Sequence, residues 1–317
     1  MLNNFILSVS SVAPTIILLA LGMFLKKAKF INKAFLTDAN KLVFYLGIPA
    51  LLFTNIYNTN IHDIFDLKFT IFIISSTTLW FFIVWIFSYF ILRKNFYSVI
   101  GSFVQGSFRS NVPILALPIL INILGTEDAA KGTLGIAFLI PLYSIMSIVL
   151  LSLHNENNKN ISIKKMILEI LKNPLLIAII IGSIFSITNT TLPFILITPI
   201  TMIAGFSTPT ALICLGGGIV FSKFSDGFKY VVYSSILKLI IMPIFVGVLA
   251  YIFGFNGTDF VIIIIMAALP TSVSSYVMAV ELGGDTYIAS TNIVITTVLS
   301  GITLTFWIFF LINMGFL

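Results

Sequence analysis

Charge is what this chain has least of. Of 317 residues only 9% are Asp, Glu, Lys or Arg, while 59% are hydrophobic. A soluble domain carries about 25% charged residues, so this sequence cannot dress a globular surface and belongs in lipid. Cysteine is nearly absent as well. The single Cys214 excludes an internal disulfide and reads as packing. The two histidines, His62 and His154, fall far apart in expected loops, which argues against a metal site. The start MLNNFILSVSSV lacks a basic segment, so no cleavable signal peptide is expected. There is no Ser-His-Asp, HExxH or Walker pattern, no expected cofactor, and no cluster of titratable groups of the kind a membrane enzyme displays. Short alternating segments are missing too, which excludes a β-barrel.

What is present is a series of apolar runs, each about the 20 residues that cross a bilayer as a helix. They lie at 7–26, 37–57, 68–92, 96–124, 130–152, 173–190, 193–222, 229–253, 259–282 and 286–313. The fold class expected is therefore an all-α polytopic membrane protein with ten transmembrane helices. Lys26, Lys27, Lys29, Lys33, Lys41, Arg93, Lys94, Lys159, Lys164, Lys165, Lys172, Lys223 and Lys229 fall on one side, and Lys68 and Lys131 on the other. This imbalance places both termini outside the cell membrane. It also explains the formal charge of +6 through topology, with no nucleic acid as partner. The longest polar stretch, HNENNKNISIKK (His154–Lys165), reads as a cytoplasmic linker. After it, Ile163, Met166, Ile167, Ile170 and Leu171 have the spacing of an amphipathic helix lying on the lipid surface.

The halves resemble each other. Pro14, Ile17 and Gly22 match Pro174, Ile177 and Gly182 at a shift of 160, and the same shift carries Pro49 onto Pro209 and Leu52 onto Leu212. Pro113 and Pro270 are 157 apart, and a small loop difference would make them equivalents. Five spans is an odd number, so the second copy is inverted. The expected organisation is a first repeat at 1–152, a linker with its amphipathic helix at 153–172, and a second repeat at 173–317. Secondary transporters are often built so, with substrate at the midplane where discontinuous helices meet.

Both candidates for discontinuity are visible. In FRSNVPILALP (Phe108–Pro118), Pro113 removes a helical donor near mid-membrane, while Ser110 and Asn111 suit the cap of a restarting helix. In AALPTSVSS (Ala267–Ser275), Pro270 is followed by Thr271 and Ser272. Irregular backbone at that depth survives only where protein or a wet cavity covers it. Arg109 stands beside the first break, at a cost of at least about 2.5–3.5 kcal/mol on insertion scales, and Lys238 lies at similar depth in the eighth span. No carboxylate is expected at midplane. Two bases without a counter-ion suggest an anionic ligand, although a lysine can also bond backbone carbonyls. The candidate binding residues are thus Arg109, Ser110, Asn111, Pro113, Lys238, Pro270, Thr271 and Ser272. Gly216-Gly217-Gly218 reads as close helix packing, and the lone Asn40 and Asn292 as interhelical bonds.

SNVPILALPIL (Ser110–Leu120), KNPLLIAIIIG (Lys172–Gly182), LGIPALLF (Leu46–Phe53) and the long run from Ala267 to Ser300 together resemble the auxin efflux carrier family, including its bacterial permeases of malate or related type. The resemblance implies a five-plus-five inverted repeat with proline-broken, crossing fourth and ninth helices. Asn111 and Pro113 would stand at the first crossing and Pro270 at the second. It also implies a scaffold of spans 1, 2, 6 and 7 and a transport domain of spans 3–5 and 8–10, moving as an elevator. The long central loop of the plant members is missing, so auxin itself is not implied as substrate. The functional expectation is a plasma-membrane carrier for small organic anions, with H+ or Na+ as candidate coupling ion, membrane lipid as surroundings and a homodimer left open. An anion channel, or a sensor or scaffold, is the alternative.

Overall fold

The computed structural model describes residues 17–58, 66–92, 97–155, 174–218 and 227–316, together with Pro14 and Lys172. Among these residues the chain is helical throughout. Helix α1 covers 17–27, α2 Lys33–Tyr57 and α3 Leu67–Ile91. The next is interrupted, with α4a at Tyr97–Phe108 and α4b at Leu117–Leu124. Then follow α5 (Thr126–Leu153) and α6 (Pro174–Thr188), and α7 (Phe194–Gly218) and α8 (Phe228–Ile252). A second interrupted helix has α9a at Gly257–Ala268 and α9b at Ser274–Leu282, and α10 (Thr286–Asn313) closes the series. Five of them, α2, α3, α7, α8 and α10, are long and apolar enough to cross a membrane whole. The surface-binding helix expected near 163–172 and most of the linker before it lie outside the described residues, as do His62 and many of the loop lysines.

The distribution of side chains inverts that of a soluble protein. Phe24, Phe30, Phe90, Phe194 and Ile195 project outward, Phe194 being 82% exposed, while Asn40, Gln105, Arg109, Asn111, Lys238 and Asn292 are buried. Lipid accepts the first set; the second must find partners inside. Helix ends are tied by their own polar residues. Asn32 and Asp66 accept N–H bonds from Phe35 and Phe69 at the starts of α2 and α3, and Asp285 does so from Ile288 at the start of α10. Asp66 also meets Lys131 of α5 at 2.7 Å, and Lys131 meets Asp259 of α9a at 2.8 Å. The bond from Lys131 holds the Asp66 carboxyl below its usual range. This triad joins three helices at one end of the bundle.

Prolines shape the helices from within. Three π-helical turns, Val43–Gly47, Val112–Ala116 and Leu237–Ile241, each stand just before a proline, namely Pro49, Pro118 and Pro243. Proline has no N–H for the carbonyl four residues back, and the local widening takes up the mismatch. At Pro243 the abandoned carbonyl belongs to Leu239, and the Trp307 indole donates to it at 3.0 Å.

Small residues bring the helices of α1, α2, α6 and α7 close. A Cβ on Gly22 would collide with the Ile213 carbonyl, and one on Gly216 with the Leu19 carbonyl; one on Gly182 would lie 3.1 Å from Phe53 O. The glycine run therefore packs helices, as its composition suggested. The contacts are reciprocal: Gly22 and Gly182 are 160 positions apart, and so are Phe53 and Ile213.

Candidate functional site

Two helices stop in the interior and their loose ends meet. Helix α4a ends at Phe108, α9a ends at Ala268, and the residues beyond pair as a minimal antiparallel bridge, Ser110 against Thr271. Asn111 N–H donates to Pro270 O at 2.9 Å and Ser272 N–H to Arg109 O at 3.1 Å. The second bond follows from Pro113, which has no N–H for Arg109 O and leaves that carbonyl to Ser272. Proline thus acts four residues upstream of its own position. The bridge sets its partners 161 positions apart, close to the 160 of the glycine contacts, with Pro270 opposite Asn111 and Ser272 opposite Arg109.

The ends of two helices leave carbonyls bare, and buried carbonyls need donors. Gly106 O receives the Thr271 hydroxyl at 2.7 Å, Ser107 O the Trp80 indole at 3.0 Å, and Ala267 O the Lys238 ammonium at 2.6 Å. Thr271 N–H turns to the Thr296 hydroxyl at 3.2 Å. Asn292 lies 2.8 Å from Thr271 Oγ1. The single hydroxyl proton serves Gly106 O, so the amide stands with its nitrogen donating to Thr271. Asn292 and Thr296 of α10, and Trp80 of α3, therefore belong to the site's supporting shell. Sequence pattern read Asn292 only as an interhelical bond and passed over Thr296 and Trp80, because each is an ordinary polar or aromatic residue mid-helix.

Of the two buried bases, Lys238 meets a backbone carbonyl, the alternative open to it from sequence, and Arg109 meets a hydroxyl and a thioether. Lys238 has no exposure; it reaches Ser110 Oγ at 2.8 Å and Met242 Sδ at 3.3 Å besides Ala267 O. Arg109 Nη1 contacts Ser147 Oγ at 3.1 Å and Met278 Sδ at 2.6 Å. Lys238 stands at the C-terminal end of α9a, where the aligned peptide dipoles place about half a negative charge, whereas the Arg109 guanidinium lies between α5 and α9b. The lack of a carboxylate is thereby partly compensated at Lys238. Ser110 serves Lys238 with its hydroxyl, so it is not the cap of the restarting helix.

A cavity of about 30 Å³ lies beside the junction, lined by Asn111, Ser272, Val273 and Ser274 and by Ile48, Leu51, Ser207, Thr208 and Ala211 of α2 and α7. Asn111 immediately precedes the π turn leading into α4b, and Ser274 begins α9b. Both restarting helices thus turn their N-terminal ends toward this space, the end that favours anions. Ser207 Oγ is buried here without a hydrogen-bond partner. Of the residues singled out in the sequence, Asn111 and Ser272 line the cavity. Arg109, Ser110, Lys238, Pro270 and Thr271 form the junction behind it, and Pro113 sits in the π turn that follows.

An all-helical, multi-pass chain with two helices broken against each other and polar groups gathered at the break has the build of a membrane carrier. A family profile described as membrane transport protein matches residues 7–308. The chain belongs to this family, the one that includes the auxin efflux carriers its motifs resemble. It is similar to an uncharacterized transporter of Methanothermobacter thermautotrophicus, 24% identical over 303 residues, which cover 95% of this chain and 97% of the relative. It is also similar to the uncharacterized transporter YfdV of Escherichia coli K12, at 22% over 309 residues, 95% of this chain and 96% of YfdV. YfdV of Shigella flexneri matches to the same extent.

Proposed function

We propose that this protein is a secondary active transporter of small organic anions, carboxylates above all, that works by alternating access of the elevator type. The observation that carries the reading is the cavity where both broken helices restart. Amide, hydroxyl and helix N-terminal donors converge on it, two cations stand behind it, and none of its lining residues is acidic. Such a surface suits a carboxylate and repels a cation. Lys238 acts from the second layer by holding the carbonyl end of α9a, and Arg109 adds to the positive field.

The division of labour follows the packing. Helices α1, α2, α6 and α7 contact mainly one another and would form the scaffold; α3–α5 and α8–α10 would form the moving body. The cavity lies on the seam between the two. Reciprocal glycine contacts and the 161-residue bridge support an inverted repeat of 1–152 and 173–317. The lysine imbalance supports a plasma-membrane orientation with both termini outside. A space of about 30 Å³ admits a water and no carboxylic acid of several carbons, so loading requires the seam to open. A channel is disfavoured by the same closure.

The test is a thermal-shift panel of carboxylates on the purified protein, followed by counterflow in proteoliposomes. Mono- or dicarboxylates are expected to stabilise it, and Asn111→Ala or Ser272→Ala to weaken that binding about tenfold to a hundredfold, as loss of a hydrogen bond to a charged group does. Stabilisation by neutral or cationic compounds alone would overturn the anion reading. Flux without trans-acceleration would point to a channel.

A further inference from the structure

We propose that Lys238 is the site of a coupling proton, so that the carrier moves its anion together with H+. The inference rests on the anion-transport reading and adds to it the ion and the residue. Among the described residues at the junction, Lys238 is the group able to give up a proton reversibly and remain bonded in both forms. Arg109 keeps its charge at any accessible pH. No carboxylate faces the lysine from the helices packed around it. On α9a, Asp259 sits in the first turn and is paired with Lys131. On α10, Asp285 caps the start and Tyr287 lies beside it. Among the described side chains of α4a and its end, Arg109 is the charged one, and α8 itself carries Lys229, Tyr230, Tyr233 and Tyr251 away from the π turn. The remaining titratable neighbour is Tyr143 of α5, which faces both Ser110 and Arg109.

The geometry accommodates both protonation states. As an ammonium, Lys238 donates to Ala267 O, Ser110 Oγ and, weakly, Met242 Sδ. As an amine it keeps a hydrogen on Ala267 O, and its lone pair accepts the Ser110 hydroxyl proton, because a hydroxyl can serve as donor or acceptor. The helix end therefore stays capped when the proton leaves, and Ser110 registers the change. Ser110 is one residue from Asn111, which lines the cavity, and its hydroxyl meets Tyr143, which faces Thr77 in turn. Tyr143, Thr77, Met242 and Ala267 border a separate water-sized cavity of about 20 Å³, an exit for the proton. Binding is R–NH2 + H+ → R–NH3+, and the charge gained lies behind the anion site. Anion and proton then strengthen each other's binding to the same degree, and anion affinity falls as pH rises.

The experiment uses liposomes loaded with a pH-sensitive dye and succinate as probe. Wild type is expected to exchange labelled succinate and, under a succinate gradient, to acidify the lumen. Its succinate affinity should drop about tenfold across the titration, the usual size of a coupling between two sites. Lys238→Arg keeps a permanently charged donor on Ala267 O. It should still exchange succinate, at reduced rate, without acidification and with a flat pH profile. Lys238→Gln, neutral but able to donate, should likewise lose proton movement. Acidification by Lys238→Arg at the wild-type ratio to net succinate uptake overturns the proposal, and so does net wild-type succinate uptake under a gradient without acidification. Absence of exchange with succinate and every other carboxylate in wild type overturns the anion reading instead, and the proton site with it.

Discussion

Trp307 and Trp80 each give an indole N–H to a carbonyl that a proline or a helix end has released, whereas Trp85 keeps a buried N–H without a partner. The three tryptophans look alike in sequence, and their substitution to phenylalanine should separate them. Trp307→Phe leaves Leu239 O bare inside the bundle and is expected to cost about 1–3 kcal/mol, the penalty of an unpaired buried polar group. Trp85→Phe removes an already unpaired donor and should be close to neutral. Thermal unfolding in detergent, both variants against wild type, checks the ranking; equal losses would contradict the carbonyl account. The same logic explains Lys238. From sequence its depth was legible and its partner was not, because the acceptor on Ala267 is 29 residues away and exists only where α9a stops.

Helix geometry carries the next set of consequences. Gly22 and Gly216 stand against carbonyls of the facing helix, while Gly205 and Gly301 have open space where a Cβ would go. Gly22→Ala is expected to force α1 away from α7 and cost about 1–3 kcal/mol through overpacking. Gly205→Ala should be neutral or gain about 0.5–1 kcal/mol from helix propensity. Melting temperatures in one detergent decide it; a stable Gly22→Ala protein would mean that the helices can separate freely. The helices themselves, and their limits to within a few residues, could be read from the apolar runs, because in lipid a segment of that length must satisfy its backbone internally. The breaks could be read too, through Pro113 and Pro270. How the broken ends meet could not, because the bond between Ser110 and Thr271 joins residues 161 positions apart.

At the scale of the molecule, the cavity lies on a seam between two groups of helices, with Ser207 on one wall and Ser274 on the other. If the groups move against each other during transport, tying those walls must stop the cycle. Ser207→Cys with Ser274→Cys, in a chain whose native Cys214 is replaced, should lose counterflow on treatment with a short bifunctional thiol reagent. Each single cysteine should be little affected. Full counterflow in the cross-linked protein, with linkage verified by mass, would rule out movement along this seam. Of the eight site residues named from sequence, five lie at the junction and two line the cavity, since hydrophobicity and proline report depth and interruption without reporting which way a side chain faces.

The sequence alone determined that the chain lives in a membrane, where its helices run, that two of them break and which family it joins. The family rests on the motifs' resemblance, and the others follow from local composition, because lipid leaves the backbone a single good solution and proline a single kind of interruption. Which carbonyl each donor meets was decided by the tertiary structure. So was the assignment of Asn111, Ser272 and Ser207 to the cavity, with the two bases set behind it at helix ends. Those relations join residues from 27 positions apart, as Trp80 and Ser107, to 161, as Ser110 and Thr271, and only packing brings them within bonding distance.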